Sequence, residues 1–478
     1  MVKSYLASLN LANWLVVILL IFIPLYPKIP LFTVPGTYVA IRIEDFLIMA
    51  SFLFWLSLCG GFKKLGQNDT HWAIWAFLVI GIISLSSAVL VTASIAPHLG
   101  LLHFLRRVEY LLPFLMVVGS LTNIKQLVAY QVVLFTGVVG VCLYGFGQKF
   151  LSFPVISTMN EEFSKGLMLS LTSNARVNST FAGHYDLAIY LAMMIVLGIS
   201  ILLAPTTKSI KIILSAVLFL SFGLLLLTVS QIAYLATFIG VLFLLYMYGK
   251  KKIILALFIG SIMIALGFAP LRQRLLDTAF VNLNYFSSRF FGQLVSPLVE
   301  QEGQLPTEAL VTYQTVEKSA THSSTVASVA NISTPFGQRR PDLGVVYSSG
   351  VRFDVEWPRA IRAFLKNPLL GTGYSSLGLS TDNDYLRVLG EVGLLGFWAF
   401  LLVIASIAKK GWVMVKSPNW QVRSQTLGLL TVGVVFFVGA IFIDVFEASK
   451  IAIIFWMLAG MLVGLYNLTV KNNNWQDN

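Results

Sequence analysis

The stretch STDNDYLRVLGEVGLLGFWAFLLV, residues 380–403, begins with charged residues and ends as an apolar run. Asp382, Asp384, Arg387 and Glu391 all lie in its first half. A helix needs about 20 predominantly apolar residues to cross the hydrocarbon core of a bilayer, and this stretch supplies most of them. It therefore predicts a membrane-spanning helix whose first turns carry charged side chains.

The composition of the whole chain agrees with a membrane protein. Of its 478 residues, 57% are hydrophobic and only 11% are charged, whereas a soluble domain carries about a quarter charged residues. The net charge of +12 is scattered between apolar runs and forms no basic stripe. This pattern argues against a nucleic-acid partner and favours membrane lipids or an anionic substrate.

Further apolar runs follow the same pattern along the chain. Twelve of them are long enough to span a bilayer. They lie at 11–26, 38–58, 72–92, 105–121, 126–147, 185–204, 210–228, 231–248, 252–269, 386–407, 424–443 and 450–469. The sequence predicts an all-α polytopic membrane protein with about twelve transmembrane helices.

Lysine marks every second predicted loop, and cytoplasmic loops of membrane proteins carry an excess of Lys and Arg. These positions are Lys63, Lys64, Lys125, Lys208, Lys211, Lys250, Lys251, Lys252, Lys409, Lys410 and Lys416, with Lys3 and Lys471 near the ends. The prediction is therefore a multi-pass membrane protein with both termini cytoplasmic.

One predicted loop is far longer than the others. Residues 1–269 contain predicted helices 1–9, 270–385 form an extracytoplasmic loop, and 386–478 contain helices 10–12 and a cytoplasmic tail. The Ser/Thr-rich part of the loop, 303–350, is predicted to be flexible. Residues 351–367 have apolar positions at helical spacing and predict an amphipathic helix on the membrane surface.

Arginine is abundant on the predicted outer side, where the positive-inside rule does not explain it. Arg176 precedes the sixth predicted helix. Arg352, Arg359 and Arg362 are seven and three residues apart, which predicts one helical face. A guanidinium group suits phosphate or pyrophosphate because it offers a planar fork of donors. Each arginine alone could bind lipid phosphate or a nearby carboxylate, but the group indicates an anionic ligand.

The charged residues of the opening stretch also share a predicted face. Asp384, Arg387 and Glu391 fall at i, i+3 and i+7. Charges within a span are costly and normally face a bundle interior or a wet cavity. Two interpretations remain open: a salt-bridge ladder that fixes helix packing, or a cavity-lining face that supplies a carboxylate base.

Other polar residues predict no further site. Arg106 and Arg107 precede Glu109 and are expected to form a structural pair with it. The two cysteines, Cys59 and Cys142, and the five histidines show no metal-ligand spacing. No metal site and no cofactor are therefore predicted.

The segment SSGVRFDVEWPRAIRAFLKNPLLGTGYSS, followed by DNDYLRVLGEVGLLGFW, resembles the signature of the O-antigen ligase and O-antigen polymerase superfamily of bacterial membrane glycosyltransferases. The segment RVNSTFAGHYDLAIYL is similar to that family's upstream arginine segment. The residues that carry the signature are Arg352, Trp357, Pro368, Gly371, Gly373, Asp382, Asn383, Leu386, Glu391, Gly393 and Gly396.

The resemblance implies transfer of a glycan from a polyprenyl-diphosphate-linked oligosaccharide donor to a hydroxyl of a glycan acceptor, at the outer face of the plasma (inner) membrane. It implies that Arg176 and Arg352 hold the carrier diphosphate, without nucleotide sugar or metal. Arg359 and Arg362 are candidates for the same role. We expect the supporting residues to be Arg387, Glu391, Asn383, Gly371 and Gly373.

The general base is predicted to be Asp382, with Asp384 as the alternative. Ligase branches of the family typically carry His where this chain has Asp382, and a family arginine is replaced by Gln231. The absence of that His favours a polymerase, for which a chain-length regulator is a further candidate partner. A ligase that transfers the glycan to lipid A core or protein, and a transporter of lipid-linked glycan, remain the alternatives.

Overall fold

The computed structural model describes residues 2–34, 40–59, 69–155, 169–170, 176–279, 351–378 and 380–471. The chain divides into two compact units, Met1–Arg272 with Val351–Asn478, and Gln273–Gly350. Of the second unit only 273–279 is described, as the end of a helix. The predicted flexible segment 303–350 therefore lies outside the described residues.

The described chain is almost entirely helical. Its α-helices are α1 (Val2–Leu6), α2 (Leu11–Leu25), α3 (Ile43–Leu58), α4 (Asp69–Leu90), α5 (Pro97–Ser120), α6 (Ile124–Phe150), α7 (His184–Leu203), α8 (Lys208–Leu227), α9 (Gln231–Met247), α10 (Lys251–Gly267), α11 (Ala269–Ala279), α12 (Trp357–Lys366), α13 (Asp384–Val415), α14 (Trp420–Gly439) and α15 (Ser449–Lys471). The strands form two small antiparallel pairs, β1 (Pro30–Thr33) with β2 (Ala40–Arg42), and β3 (Pro154–Val155) with β4 (Leu169–Ser170).

A helix covers the main part of each of the twelve predicted apolar runs. Seven helices of the described chain are long and apolar enough to cross a membrane: α4, α6, α7, α8, α13, α14 and α15. The pair α10–α11 passes the same test when its two helices are taken together. The chain is therefore an all-α, multi-pass membrane protein. The predicted helix start at residue 38 is wrong, because Ala40–Arg42 is a strand and α3 begins only at Ile43.

The centre of the first unit is formed by α15, the most buried of the seven long apolar helices. It packs against α5, while α13 packs against α4 and α14 packs against α7. Small residues allow helices to approach closely. Gly460 of α15 faces the backbone carbonyl of Phe114 on α5, and Gly240 of α9 faces Val435 on α14. Packing around α15 brings the first turns of α7, α13 and α15 to the same end of the bundle, which we call the charged end.

Helix α13 is interrupted at Gly393, whose backbone has φ +69° and ψ −169°. The interruption leaves carbonyl and N–H groups of α13 without partners inside the helix. Backbone groups of the segment 368–373 form hydrogen bonds with them instead. Thr372 and Gly373 donate to the carbonyls of residues 390 and 391 at 2.9 and 2.8 Å, and the N–H groups of residues 394 and 395 donate to those of 368 and 369. A broken helix is tolerated at membrane depth when protein satisfies its backbone in this way.

Gly371 and Gly393 allow this segment to approach α13 closely. A Cβ atom at Gly371 would lie 2.4 Å from the carbonyl group of Glu391, and one at Gly393 would lie 2.4 Å from that of Leu369. Both glycines also have φ near +68°. The glycine-rich segment NPLLGTGYSSLG, residues 367–378, which by its sequence alone predicts a tight turn, therefore serves as the backbone partner of α13.

The predicted amphipathic helix at 351–367 is present but not regular. Val351–Glu356 is a π-helical segment that precedes α12. A π segment has more residues per turn than an α-helix, so the spacing of seven no longer places Arg352 on the face of Arg359. Arg359 and Arg362 lie three residues apart within the regular helix α12 and keep their shared face.

Candidate functional site

Arg352 and Asp382 are in direct contact at the charged end. Nε of Arg352 donates to Oδ2 of Asp382 at 2.8 Å, and Oδ1 of the same carboxylate accepts from the Ser380 hydroxyl at 3.1 Å. The arginine side chain is 13% exposed and the aspartate side chain 31%. The pair therefore lies at an edge of the bundle, with the aspartate the more exposed of its two members.

The backbone of Asp382 is held by Asp444, which lies in the turn between α14 and α15. Asp382 has φ +49°, a left-handed conformation that costs energy for a residue with a side chain. Oδ2 of Asp444 accepts from the N–H groups of Thr381 and Asp382 at 2.7 and 3.1 Å. These two bonds to an ionised acceptor stabilise the strained residue and fix the position of its carboxylate.

Asp384, the alternative base, also contacts the turn between α14 and α15, but here its own carboxylate accepts hydrogen bonds from the backbone of that turn. Its Oδ2 accepts from the N–H groups of Val445 and Phe446 at 2.8 and 3.3 Å, and its side chain is buried. Its own N–H donates to the carbonyl of Ala440 at 3.0 Å. Asn383 caps α13 by accepting from an N–H in its first turn. Asp384 is therefore occupied by backbone donors, whereas Asp382 is paired with a side chain.

Arg387 is the centre of a buried ion-pair network. Its guanidinium group lies 3.3 Å from Glu391, 3.3 Å from Asp444 and 3.4 Å from Glu447, and its side chain is 2% exposed. A single buried charge would be costly, and three carboxylates compensate it, one on α13 and two in the turn between α14 and α15. Of the two interpretations left open by the sequence, the described contacts show the salt-bridge ladder.

Arg107 joins this network from α5. It forms an ion pair with Glu447 and donates to the carbonyl of Phe446 at 2.7 Å. Its neighbour Arg106 donates to the carbonyl of Ala40 at 2.9 Å. The expected pair with Glu109 is wrong for Arg107, because positions two apart on a helix point in different directions, and Arg107 pairs instead with Glu447 in the turn between α14 and α15. Arg106, three residues before Glu109, does interact electrostatically with it.

The other predicted arginines occupy separate places. Nη1 of Arg176 lies 2.9 Å from Nε2 of His184, the first residue of α7. Arg359 donates to the carbonyl of Leu377 at 3.0 Å and thereby supports the glycine-rich segment. Arg362 is exposed on α12. Among the contacts of the described residues, Arg352 is the predicted arginine that binds a predicted base.

The turn between α14 and α15 connects the surroundings of Arg176 and Arg352. At one side Asp444 binds the backbone of Asp382. Six residues later, Nζ of Lys450 donates to the carbonyl of Thr180 at 2.7 Å. Thr180 is four residues beyond Arg176. The segment that carries Arg176 and the loop that carries the Arg352 partner are thus both fixed to residues 444–450.

A cavity of about 40 Å³ lies beside Glu391, large enough for water and too small for a sugar ring. The residues around it are Phe77, Arg107, Tyr110, Leu111, Tyr374, Val388, Glu391, Val392, Phe400, Phe446 and Trp456. Arg107 and Glu391, two members of the ion-pair network, line it together with aromatic side chains. The cavity supports the network rather than a bound glycan.

Two carboxyl groups near Arg352 have raised pKa values. Burial raises the pKa of Asp382 above its ordinary range, Arg352 opposes this effect, and the charge of Asp444 adds to it. Burial and the nearby charge of Asp382 raise the pKa of Glu356. A carboxylate with a raised pKa is a better proton acceptor, as a general base requires.

Asp444 and Glu447 complete the network, and sequence reasoning did not select them. Their one signal is position: the stretch IDVFEASK, 443–450, places three charged residues between two apolar runs. The partners of Asp444 lie 57 to 63 residues earlier in the chain, and Arg107, a partner of Glu447, lies 340 residues earlier. Helical spacing therefore does not relate these residues to their partners.

No protein-family model matches the chain, and no curated protein matches its sequence. Within the described ranges, no group of three or more His, Cys, Asp or Glu side chains is arranged to hold a metal ion. The site is therefore interpreted from its own geometry.

We expect Asp444→Ala to lower the free energy of unfolding by about 2 kcal/mol or more, because two buried N–H groups lose their acceptor. Thermal unfolding in detergent measures the change. The control is Asp444→Asn, whose amide oxygen can still accept from Thr381 and Asp382. Equal stability of Asp444→Ala and the wild type would show that Asp444 does not hold this loop.

Proposed function

We propose that the chain is a polysaccharide polymerase-like glycosyltransferase of the plasma membrane, which joins glycan units carried on polyprenyl diphosphate. The proposed topology has twelve spanning helices, both termini in the cytoplasm and the charged end on the outer side. The resemblance to the O-antigen ligase and polymerase superfamily supports this proposal, as do the lysine positions. The partners are a lipid-linked oligosaccharide donor and a glycan acceptor.

One observation carries the proposal: a partly exposed Arg352–Asp382 pair rests on a buried, compensated charge network. Arg352 is fixed by a π-helical segment and Asp382 by two backbone bonds to Asp444. A rigid cation beside a carboxylate with a raised pKa supplies the two groups that glycosyl transfer from a diphosphate requires. Preorganisation of this kind is what makes charged groups effective in catalysis.

In the proposed reaction, the donor diphosphate binds Arg352 and displaces Asp382 from the guanidinium group. The freed Asp382 carboxylate accepts the proton of the acceptor hydroxyl, whose oxygen attacks the anomeric carbon with inversion. The bond from that carbon to the diphosphate oxygen breaks, and the electron pair leaves with the diphosphate, stabilised by Arg352. General-base assistance of this type contributes roughly 10²–10⁴ in rate.

Arg387, Glu391 and Asp384 have a supporting role in this proposal. All three lie on α13, which begins two residues after Asp382. Their contacts connect this helix to the turn at 444–447. Arg176 is proposed as a second contact for the diphosphate, from the segment fixed by Lys450. Arg359 and Arg362 are proposed to meet the outer part of the same ligand, since both are carried by α12.

The test is a reaction of the purified full chain with a synthetic polyprenyl-diphosphate repeat unit in detergent, without nucleotide sugar. A ladder of longer lipid-linked products is expected for a polymerase. A single transfer to a supplied second acceptor would favour the ligase, and the absence of any new glycosidic bond would favour the transporter. Gel separation followed by mass spectrometry distinguishes the three results.

The pH profile of transfer is expected to depend on Asp382. The base must be ionised, and burial raises its pKa, so the rate should fall on acidification at a higher pH than for an ordinary aspartate. Asp444→Asn removes a negative charge that raises this pKa, and should move the acid limb of kcat/KM to lower pH. If the acid limb of kcat/KM stays at the same pH in Asp444→Asn, the titrating group is not Asp382.

A further inference from the structure

The cavity beside Glu391 lies where several parts of the fold meet. Its lining comes from α4, α5, the glycine-rich segment, α13, the turn between α14 and α15, and α15 itself. Most of the lining side chains are apolar, but a charged pair and two tyrosines are among them: Arg107, Glu391, Tyr110 and Tyr374. A volume of about 40 Å³ has room for roughly three water molecules.

Tyr374 brings a buried hydroxyl group to this place. The residue is 3% exposed, and within the described chain its hydroxyl has no hydrogen-bond partner. Its ring packs against Phe104 with 5.6 Å between the ring centroids, and Gly81 leaves the space that the hydroxyl occupies, since a Cβ atom there would lie 2.5 Å from it. Buried hydroxyl groups in native proteins are normally satisfied by protein or by ordered water, because an unsatisfied one is costly.

Glu391 and Arg107 supply an acceptor and donors at the same cavity. The carboxylate of Glu391 accepts from the N–H of Ser375 at 3.0 Å and from Nη1 of Arg387 at 3.3 Å, and both bonds go to Oε1. Its Oε2 is left to accept from another donor. Arg107 contacts the turn between α14 and α15 through Nη1 and Nη2, which uses only part of its five N–H groups. The cavity thus offers the two to four polar partners that a buried water needs.

The cavity also lies at the break in α13. Glu391 and Val392, which line it, directly precede Gly393, where the helix is interrupted. Irregular backbone at membrane depth is tolerated where it is buried in protein or lines a water-filled cavity. A cavity lined by apolar groups alone stays dry, whereas one with convergent polar groups holds water. The location of this cavity and its lining therefore indicate the same occupant.

We propose that the cavity binds a cluster of about two or three ordered water molecules, hydrogen-bonded to the Tyr374 hydroxyl, Oε2 of Glu391 and the Arg107 guanidinium group. The cluster connects the glycine-rich segment to α13 and α5 beside the break in α13. It also completes the hydrogen bonding of two charged groups that would be costly to bury otherwise. The inference goes beyond the proposed function, because it holds whether or not the chain transfers a glycan.

Tyr374→Phe tests the cluster through the sign of its effect on stability. If water binds the hydroxyl, the substitution removes a hydrogen bond, and the melting temperature in detergent should fall by about 1–3 °C. Removal of a hydroxyl that binds nothing would leave the melting temperature unchanged or raise it. The matched control is Tyr190→Phe, for which we expect no fall. Tyr190 is buried on α7 and its hydroxyl also lacks a partner among the described residues, but it does not line this cavity.

The wild-type protein gives a second, independent measurement. A short X-ray pulse produces hydroxyl radicals from bound water as well as from bulk water, so a side chain next to a buried water is oxidised although bulk solvent does not reach it. After equilibration in isotope-labelled water, mass spectrometry should find labelled oxygen on Tyr374 and Tyr110 several times faster than on Tyr190. All three tyrosines are 3% exposed or less, so exposure alone predicts no such difference.

A Tyr374→Phe protein that is as stable as the wild type, or more stable, would overturn the proposal. Oxidation of Tyr374 no faster than that of Tyr190 would overturn it equally. The oxidation experiment uses the wild-type protein, so it decides even if Tyr374→Phe does not fold. Neither measurement involves glycosyl transfer, and failure of the proposed function would therefore leave both results unchanged.

Discussion

Replacement of Arg352 by lysine is expected to reduce glycosyl transfer by about 10²–10³-fold, the loss seen when one preorganised donor to a developing negative charge is removed. The charge is retained, but the lysine ammonium is a point charge and lacks the planar fork that spans two phosphate oxygens. The guanidinium Nε also binds Asp382 at 2.8 Å, so the substitution loosens the base as well.

The fold of the Arg352→Lys variant should remain intact. Arg352 lies on the accessible π-helical segment, outside the ion-pair network of Arg387. Its melting temperature in detergent is therefore expected to stay within a few degrees of the wild type. The matched control is Arg272→Lys, an exposed arginine of α11 outside the site, which should transfer glycan normally. Full activity of Arg352→Lys would remove Arg352 from the reaction.

Gly393→Ala is expected to destabilise the protein by about 3 kcal/mol or more. The backbone of Gly393 has φ +69° and ψ −169°, a conformation that essentially only glycine adopts. A Cβ atom would also lie 2.4 Å from the carbonyl carbon and oxygen of Leu369, where backbone cannot move aside cheaply. The substitution would therefore also disrupt the hydrogen bonds between α13 and the segment 368–373.

The control for this prediction is Gly433→Ala. Gly433 lies within α14, and a Cβ atom there meets nothing within 4 Å. Alanine should stabilise that helix by roughly 0.5–1 kcal/mol, so the two variants should change stability in opposite directions. Thermal unfolding in the same detergent compares them. A Gly393→Ala protein as stable as the wild type would contradict the described break in α13.

Much of the fold follows from the sequence because hydrophobic length is a direct physical signal. The run that begins near Leu386 and the lysine-bounded runs all correspond to helices, since a long apolar segment satisfies its backbone only by coiling on itself. The pairing of Arg387 with Glu391 was also predictable, because residues four apart share a helical face.

The remaining features depend on contacts that spacing does not encode. Asp444 and Glu447 lie in a short turn, and their partners come from other helices. The π segment at 351–356 changes the register of the arginines after Arg352, and composition gives no sign of it. Periodicity describes one helix at a time, whereas a charged site at a bundle end is assembled from several.

The central claim is that a lipid diphosphate leaves as a glycosidic bond forms. Its most direct measurement counts released polyprenyl diphosphate by phosphorus NMR against new glycosidic bonds by mass spectrometry, in wild type and Arg352→Lys. We predict one diphosphate lipid released for each bond in the wild type, and loss of both products together in the variant. Bond formation without release, or neither product from the folded wild-type protein, would contradict the account.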